Sequence, residues 1–269
     1  MTPPGRRCAV DVELGTVVHA YGIVRTDDAI DLPDTGVGGA GVALLDAGPV
    51  SCVFSILPGE AYGDAAWHSH AEDPRWLSAI ASEHEAVLGQ LVRDVDVLPL
   101  RLPGMYRDEV HLHDVIAAQA ELFSAVLDAL HGHVEWAVHL YLTGEVAEET
   151  DAPTSGREYL QQKAAAASRR DAARARRERL VRDAYAAIAD LSRQSVANPP
   201  QDSALSGRRE PMLLNSAHLV CRKHEQLFFD AVDEAAARLA PAGISIEVSG
   251  PWAPYNFVEL GLDAVGVAR

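Results

Sequence analysis

The chain has 269 residues, 48% of them hydrophobic, which is enough to fill one large core or two modest ones. Its formal charge of −16 repels phosphate backbones and so excludes nucleic acid as a partner of the whole chain. No window approaches the roughly 18 apolar residues of a membrane span, and the three scattered cysteines, Cys8, Cys52 and Cys221, lack the spacing of a zinc ribbon or a disulfide framework.

The charge is unevenly spread. Residues 1–160 hold 8 Lys+Arg against 26 Asp+Glu, whereas residues 161–269 hold 15 against 13. The first residues, MTPPGRRC, carry two arginines but no apolar segment, so no signal peptide and a cytoplasmic location are expected.

Residues 16–24 (TVVHAYGIV) are β-branched and aromatic and predict a first strand. The Asp-, Gly- and Pro-rich stretch 26–41 predicts a loop. Strands are expected over 42–46 and 50–57, joined at Ala47-Gly48-Pro49, with a polar loop over 58–72. Asp73-Pro74 starts a helix whose buried stripe is Leu77, Ile80, His84, Val87, Leu88 and Leu91. A short strand is expected over 95–100 and one helix over 108–131, closed by Gly132 in a left-handed conformation.

Residues 133–142 (HVEWAVHLYL) alternate. Val134, Trp136, Val138, Leu140 and Leu142 point to a core, and His133, Glu135, Ala137, His139 and Tyr141 point away from it. After an acidic loop at 143–154, Ser155 and Glu158 form a capping box for a long helix over about 156–195. Residues 197–211 predict a loop, 212–221 a strand, 223–240 a helix and 244–249 a last strand. The two prolines and the glycine of GPWAPYNF (250–257) predict irregular structure. The whole reads as an α+β chain of two halves with a seam near 131–133, and no internal repeat is legible.

The chemistry-bearing patterns fail their context tests. Gly36 to Gly41 formally match GxGxxG, but no strand runs directly into them and no long helix follows, so a nucleotide site is not expected. Three H-x-H pairs (His68/His70, His111/His113, His131/His133) lie outside clear strands. The best metal candidate is the strand face with His133, Glu135 and His139. GxSxG is absent, and no catalytic residue is assigned. Two features remain as candidate partner-binding sites. One is the arginine run that includes Arg174 and Arg177, with acidic residues interleaved. The other is the aromatic group Trp252, Tyr255 and Phe257, either a seal for the core or an anchor for a partner.

Seven segments in order resemble the gas vesicle protein F/L family (GvpF/GvpL): Tyr21-Gly22-Ile23-Val24, LPDTGVGG at 32–39, HEAVLGQLVRDVDVLPLRL at 84–102, VEWAVHLY at 134–141, SGREYLQQK at 155–163, LLNSAHLV at 213–220 and SGPWAPYNFV at 249–258. The resemblance implies two tandem ferredoxin-like domains with a Pro/aromatic C-terminal tail, placed here at 1–132, 133–250 and 251–269. It implies a non-enzymatic accessory protein of the gas vesicle, without cofactor, that contacts the small hydrophobic GvpA-type shell protein during nucleation or growth. Other accessory proteins are further expected partners, and a gas-facing position in the vesicle is suggested by the family alone. The sequence departs from the family pattern at Leu102-Pro103-Gly104-Met105-Tyr106 and at His139. The alternative is a metal-dependent or small-molecule-binding enzyme or sensor on a ferredoxin-like scaffold, using the His133/Glu135/His139 face.

Overall fold

The computed structural model describes residues 15–70, 72–144, 155–201 and 208–258. The chain divides into two compact units, Met1–Leu127 and Asp128–Arg269. Cys8, the acidic loop at 145–154, the Glu158 side chain and the end of the chain from residue 259 lie outside the described residues.

In the first unit, β1 (Thr16–Arg25), β2 (Val42–Ala47) and β3 (Val50–Pro58) form where the β-branched runs predict them. With β4 (Leu98–Pro99) they make an antiparallel sheet of order β2-β3-β1-β4. The strand expected over 95–100 shortens to β4, and β5 (Met105–Tyr106) also pairs with β1, placing Tyr106 opposite Val18. Helix α3 (Pro74–Leu91) packs on β1, and the Asp73 carboxylate caps it by accepting from the Arg75 N–H at 2.9 Å. Ile80, His84, Val87, Leu88 and Leu91 are buried as the stripe predicts; Leu77 is half-buried. Each large apolar side chain so buried contributes about 2 kcal/mol.

Two expectations in this unit are corrected. The stretch 58–72 is not a loop but two short helices, α1 (Gly59–Tyr62) and α2 (Asp64–His70). Helices this short are unstable alone. These are held by aromatic contacts to the start of α3, with Trp67 edge-on to Trp76 at 4.8 Å and His70 stacked on Trp76 at 5.3 Å. The helix expected over 108–131 is two helices, α4 (Glu109–Ala117) and α5 (Ala120–Leu130). Ala118 and Gln119 at the break are good helix formers, so packing and not propensity sets it. The boundary between units falls inside α5, and Gly132 takes φ +70 as expected.

The second unit contains β6 (His133–Leu142), α6 (Gly156–Ala189), β7 (Gln194–Asn198), β8 (Met212–Cys221), α7 (Glu225–Leu239) and β9 (Ile244–Trp252). Its sheet is antiparallel with order β7-β8-β6-β9. Val138, Leu140, Ala184, Ile188, Val220, Phe228, Val232 and Leu239 form its core. α6 stops at Ala189, short of the expected 195, and residues 194–198 are an edge strand where the end of a helix and the start of a loop were expected. That strand is tied to β8 by a buried polar chain. Ser216 Oγ donates to the Val138 carbonyl at 3.0 Å, so it accepts from His218 Nε2 at 3.0 Å, and His218 Nδ1 accepts from Ser195 Oγ at 2.8 Å.

Two further expectations fail here. Residues 250–252 continue β9, so regular structure does include Gly250-Pro251-Trp252. Gly250 has φ +140, and a Cβ there would lie 2.8 Å from the Trp136 ring, so only glycine lets the strand pass. The second face of β6 is not simply solvated: Glu135 and Tyr141 are buried on it. Tyr141 lies under the Arg208 guanidinium at 4.4 Å.

Candidate partner-binding surface

The patterns that suggest small-molecule chemistry are committed to structure. In the GxGxxG segment the N–H groups of Gly36 to Ala40 each have an internal acceptor. Gly36 donates to the Ala40 carbonyl at 2.7 Å, Val37 to Tyr21 Oη at 2.8 Å and Gly38 to the Glu83 carboxylate at 2.9 Å. Gly36 is needed for another reason, because a Cβ there would lie 2.0 Å from Tyr21 Oη. His68/His70 sit on α2 and His111/His113 on α4, where residues two apart point to different faces. His133 Nδ1 lies 2.7 Å from the His131 carbonyl. Among the described residues no group of three or more His, Cys, Asp and Glu is placed to hold a metal.

Glu135, the acidic member of the metal candidate, is buried and spent on the C-terminal segment. Its Oε2 accepts from the Asn256 backbone N–H at 2.9 Å and its Oε1 from Asn256 Nδ2 at 2.6 Å. This clamp holds the 3-10 turn Tyr255–Phe257 on the unit. Phe257 is fully buried and seals the core, so its ring is not a surface anchor. Trp252 and Tyr255 are half-buried, and Trp252 Nε1 donates to Ser249 Oγ at 3.2 Å. Neither the clamp nor its role was legible in the sequence, because its partners stand 121 residues apart.

The arginines divide differently. At 100° per residue, Arg170, Arg174 and Arg177 lie on the stripe of α6 that continues as Val181, Ala184 and Ile188 into the core. Arg174 is exposed and pairs with Glu178 one turn on at 3.0 Å, whereas Arg177 is half-buried. The structure does not bring these arginines and the aromatic segment together into one described contact.

An open depression of about 400 Å³ lies just past the end of α6. Its apolar wall is Leu191, Leu227 and Cys221, and its polar rim includes His133, Asp190 and Arg193. Leu191 is 39% exposed and Leu227 54%, and the two line the same depression beside a filled core. The strand register places the depression at the end of the sheet that also carries Trp252, since His133 pairs with Cys221 and Glu135 with Trp252. Periodicity points away from it, because a helix running to about 195 puts Leu191 on the buried stripe with Ala184 and Ile188, whereas α6 ends at Ala189 and leaves Leu191 exposed; Leu227 lies on the outer face of α7.

Comparison with known proteins gives a consistent result. The family described as "Gas vesicle synthesis protein GvpL/GvpF" matches residues 17–259. The chain is 31% identical over 256 residues to gas vesicle protein L of a Streptomyces species, covering 92% of this chain and 94% of the relative. It is 23% identical over 252 residues to gas vesicle protein F of Haloferax mediterranei, covering 92% and 95%. Its fold is similar to the crystal structure of GvpF from an Anabaena species, with a TM-score of 0.63 at 18% identity over 91% of this chain and 96% of that one. GvpF from Microcystis aeruginosa gives a TM-score of 0.61 at 15% identity, over 90% and 98%.

Proposed function

This chain belongs to the gas vesicle GvpL/GvpF family and to gas vesicle formation, and on that premise we propose that it is a non-enzymatic assembly protein that binds the small hydrophobic GvpA-type shell protein. The observation that carries the reading is the open depression on the second unit, walled by Leu191 and Leu227 and rimmed by charge. A shell subunit with an apolar face aggregates when free; a strongly charged carrier that covers part of that face keeps it in solution until it is incorporated. Trp252 and Tyr255 extend the contact at the same end of the sheet, with Phe257 and the Glu135–Asn256 clamp fixing the segment beneath them.

The connectivity supports the expected scaffold. The second unit runs β-α-β-β-α-β with order β7-β8-β6-β9, the split βαβ arrangement of ferredoxin-like domains. The first unit has the same strand order, with the 26–41 loop standing where the second has α6. We read the chain as two such domains in tandem.

The test is co-purification of the tagged full-length protein with the shell protein at low and high salt. Retention at both salts is expected, together with its loss in a Leu191→Asp/Leu227→Asp variant of unchanged circular dichroism. No retention at either salt overturns the reading. Retention lost only at high salt moves the contact away from the depression to charged surface.

A further inference from the structure

The N-terminal part of α6 is a charged arm. Core contacts begin at Leu180, and of the described side chains over 157–179 all but Gln162, Ala166, Ala175 and Arg177 are exposed. The 24 residues 156–179 span about 36 Å at about 1.5 Å per residue. Residues 157–182 carry nine Lys+Arg and three Asp+Glu, a net of +6 in a chain of −16. The first unit is opposite in sign: residues 15–127 carry five Lys+Arg and seventeen Asp+Glu, a net of −12.

The chemistry of the arm restricts what covers it. Two arms repel each other, and although Tyr159 and Leu160 are exposed at the arm's start, the lysine, alanines and arginines that follow leave no continuous apolar seam by which to pair. A nucleic acid meets one aromatic side chain on the arm, Tyr159 at its start and none interleaved with the arginines, and is repelled by the acidic unit. The surface of complementary charge that every copy carries is the first unit itself. It displays exposed Asp27, Asp31 and Asp34 in one loop, among carboxylates spread over the rest of the unit.

We propose that the α6 arm of one copy docks on the acidic N-terminal unit of a second copy. The contact joins two different surfaces, so each copy offers one of each, and the association closes into a ring or continues as a chain. It is electrostatic and therefore sensitive to salt. It is independent of the shell-protein reading, because neither the depression nor the aromatic segment takes part.

The experiment is sedimentation velocity on the full chain without shell protein, treated with nuclease, at about 0.01 M and about 1 M salt, where the screening length falls from about 30 Å to about 3 Å. Self-association is expected at low salt and its loss at high salt. An Arg170→Glu/Arg174→Glu/Arg177→Glu variant and an Asp27→Lys/Asp31→Lys/Asp34→Lys variant should each self-associate about tenfold more weakly or less, as for three surface ion pairs turned repulsive. An equimolar mixture of the two should associate again, because each then offers a surface complementary to the other's. A monomer at every concentration of the parent protein overturns the proposal, as does undiminished association of the arm variant or a mixture that fails to associate. Association only before nuclease treatment overturns it in favour of a nucleic acid.

Discussion

His19 Nε2 lies 2.9 Å from His84 Nδ1, and both rings are fully buried. The Pro103 carbonyl, 3.1 Å from His19 Nδ1, accepts only, so His19 donates there, and the Leu100 backbone also hydrogen-bonds the His84 ring. Burial, reinforced by the neighbouring imidazole, pushes His19 down to about 3, and burial pushes His84 down to about 4. Folded values below the usual 6.5 mean that the unfolded chain binds more protons between those limits. Stability is therefore full above 6.5 and falls as the pH drops toward 4. By pH 5 the loss is about 2 kcal/mol per histidine. Urea unfolding of the full chain at pH 7.5 and pH 5 checks this, and a His84→Gln variant should have a flatter pH profile than the parent.

Gly36 is a packing glycine, not a phosphate-binding one. Gly36→Ala puts a methyl group onto Tyr21 Oη and disturbs its bonds to Ser55 Oγ and the Val37 N–H. A destabilisation of about 2–4 kcal/mol is expected from overpacking and broken buried hydrogen bonds. Gly41→Ala, in the same motif with nothing within 4 Å, should stay within about 0.5 kcal/mol of the parent. Chemical denaturation of the two variants decides it, since a nucleotide loop would show the contrast in ligand binding instead.

The fold was legible where apolar runs or apolar spacing are continuous over a whole element. α3 and α7 carry a helical period that their burial honours, and β1, β3 and β8 are largely β-branched and apolar runs buried on both faces. It was illegible where distant residues decide. β7 is the five residues Gln194–Asn198, half-exposed at a sheet edge and held by the Ser195–His218 hydrogen bond. β9 runs through a proline because Gly250 passes against Trp136. Of the candidate site, Arg174 and Trp252 remain on the surface, whereas Phe257 and Glu135 turned out to hold the segment in place.

The Glu135 clamp makes a separable prediction. Glu135→Ala removes both acceptors for Asn256 and leaves its part-buried N–H without this partner. Hydrogen bonds to a charged group contribute about 1.5–3 kcal/mol, so the second unit should lose about 3 kcal/mol. The first sign should be local: the segment from Ala253 to Phe257 opens and becomes sensitive to protease before global unfolding. Limited proteolysis with mass analysis of the C-terminal fragments tests it, and a cleavage pattern identical to the parent's would show that Phe257 holds the segment without the clamp.

α6 should be stable at one end only. Ala184 is buried in the core at the C-terminal end, and Ala173 is exposed on the arm. Glycine costs about 1 kcal/mol at either position through helix propensity, and at Ala184 the lost methyl contact adds about 0.8 kcal/mol. The two costs appear in different places. The arm makes few tertiary contacts, so Ala173→Gly increases fraying of residues 156–179 and leaves the global unfolding free energy within about 0.5 kcal/mol of the parent. Ala184→Gly lowers that free energy by about 2 kcal/mol, because the last three turns unfold with the sheet. Amide exchange along α6 should show the same gradient, slow from Leu180 to Ile188 and fast before it. A helix so divided tolerates charge reversal at Arg170, Arg174 and Arg177 without unfolding the unit, so a change in association caused by those substitutions reports contact and not stability.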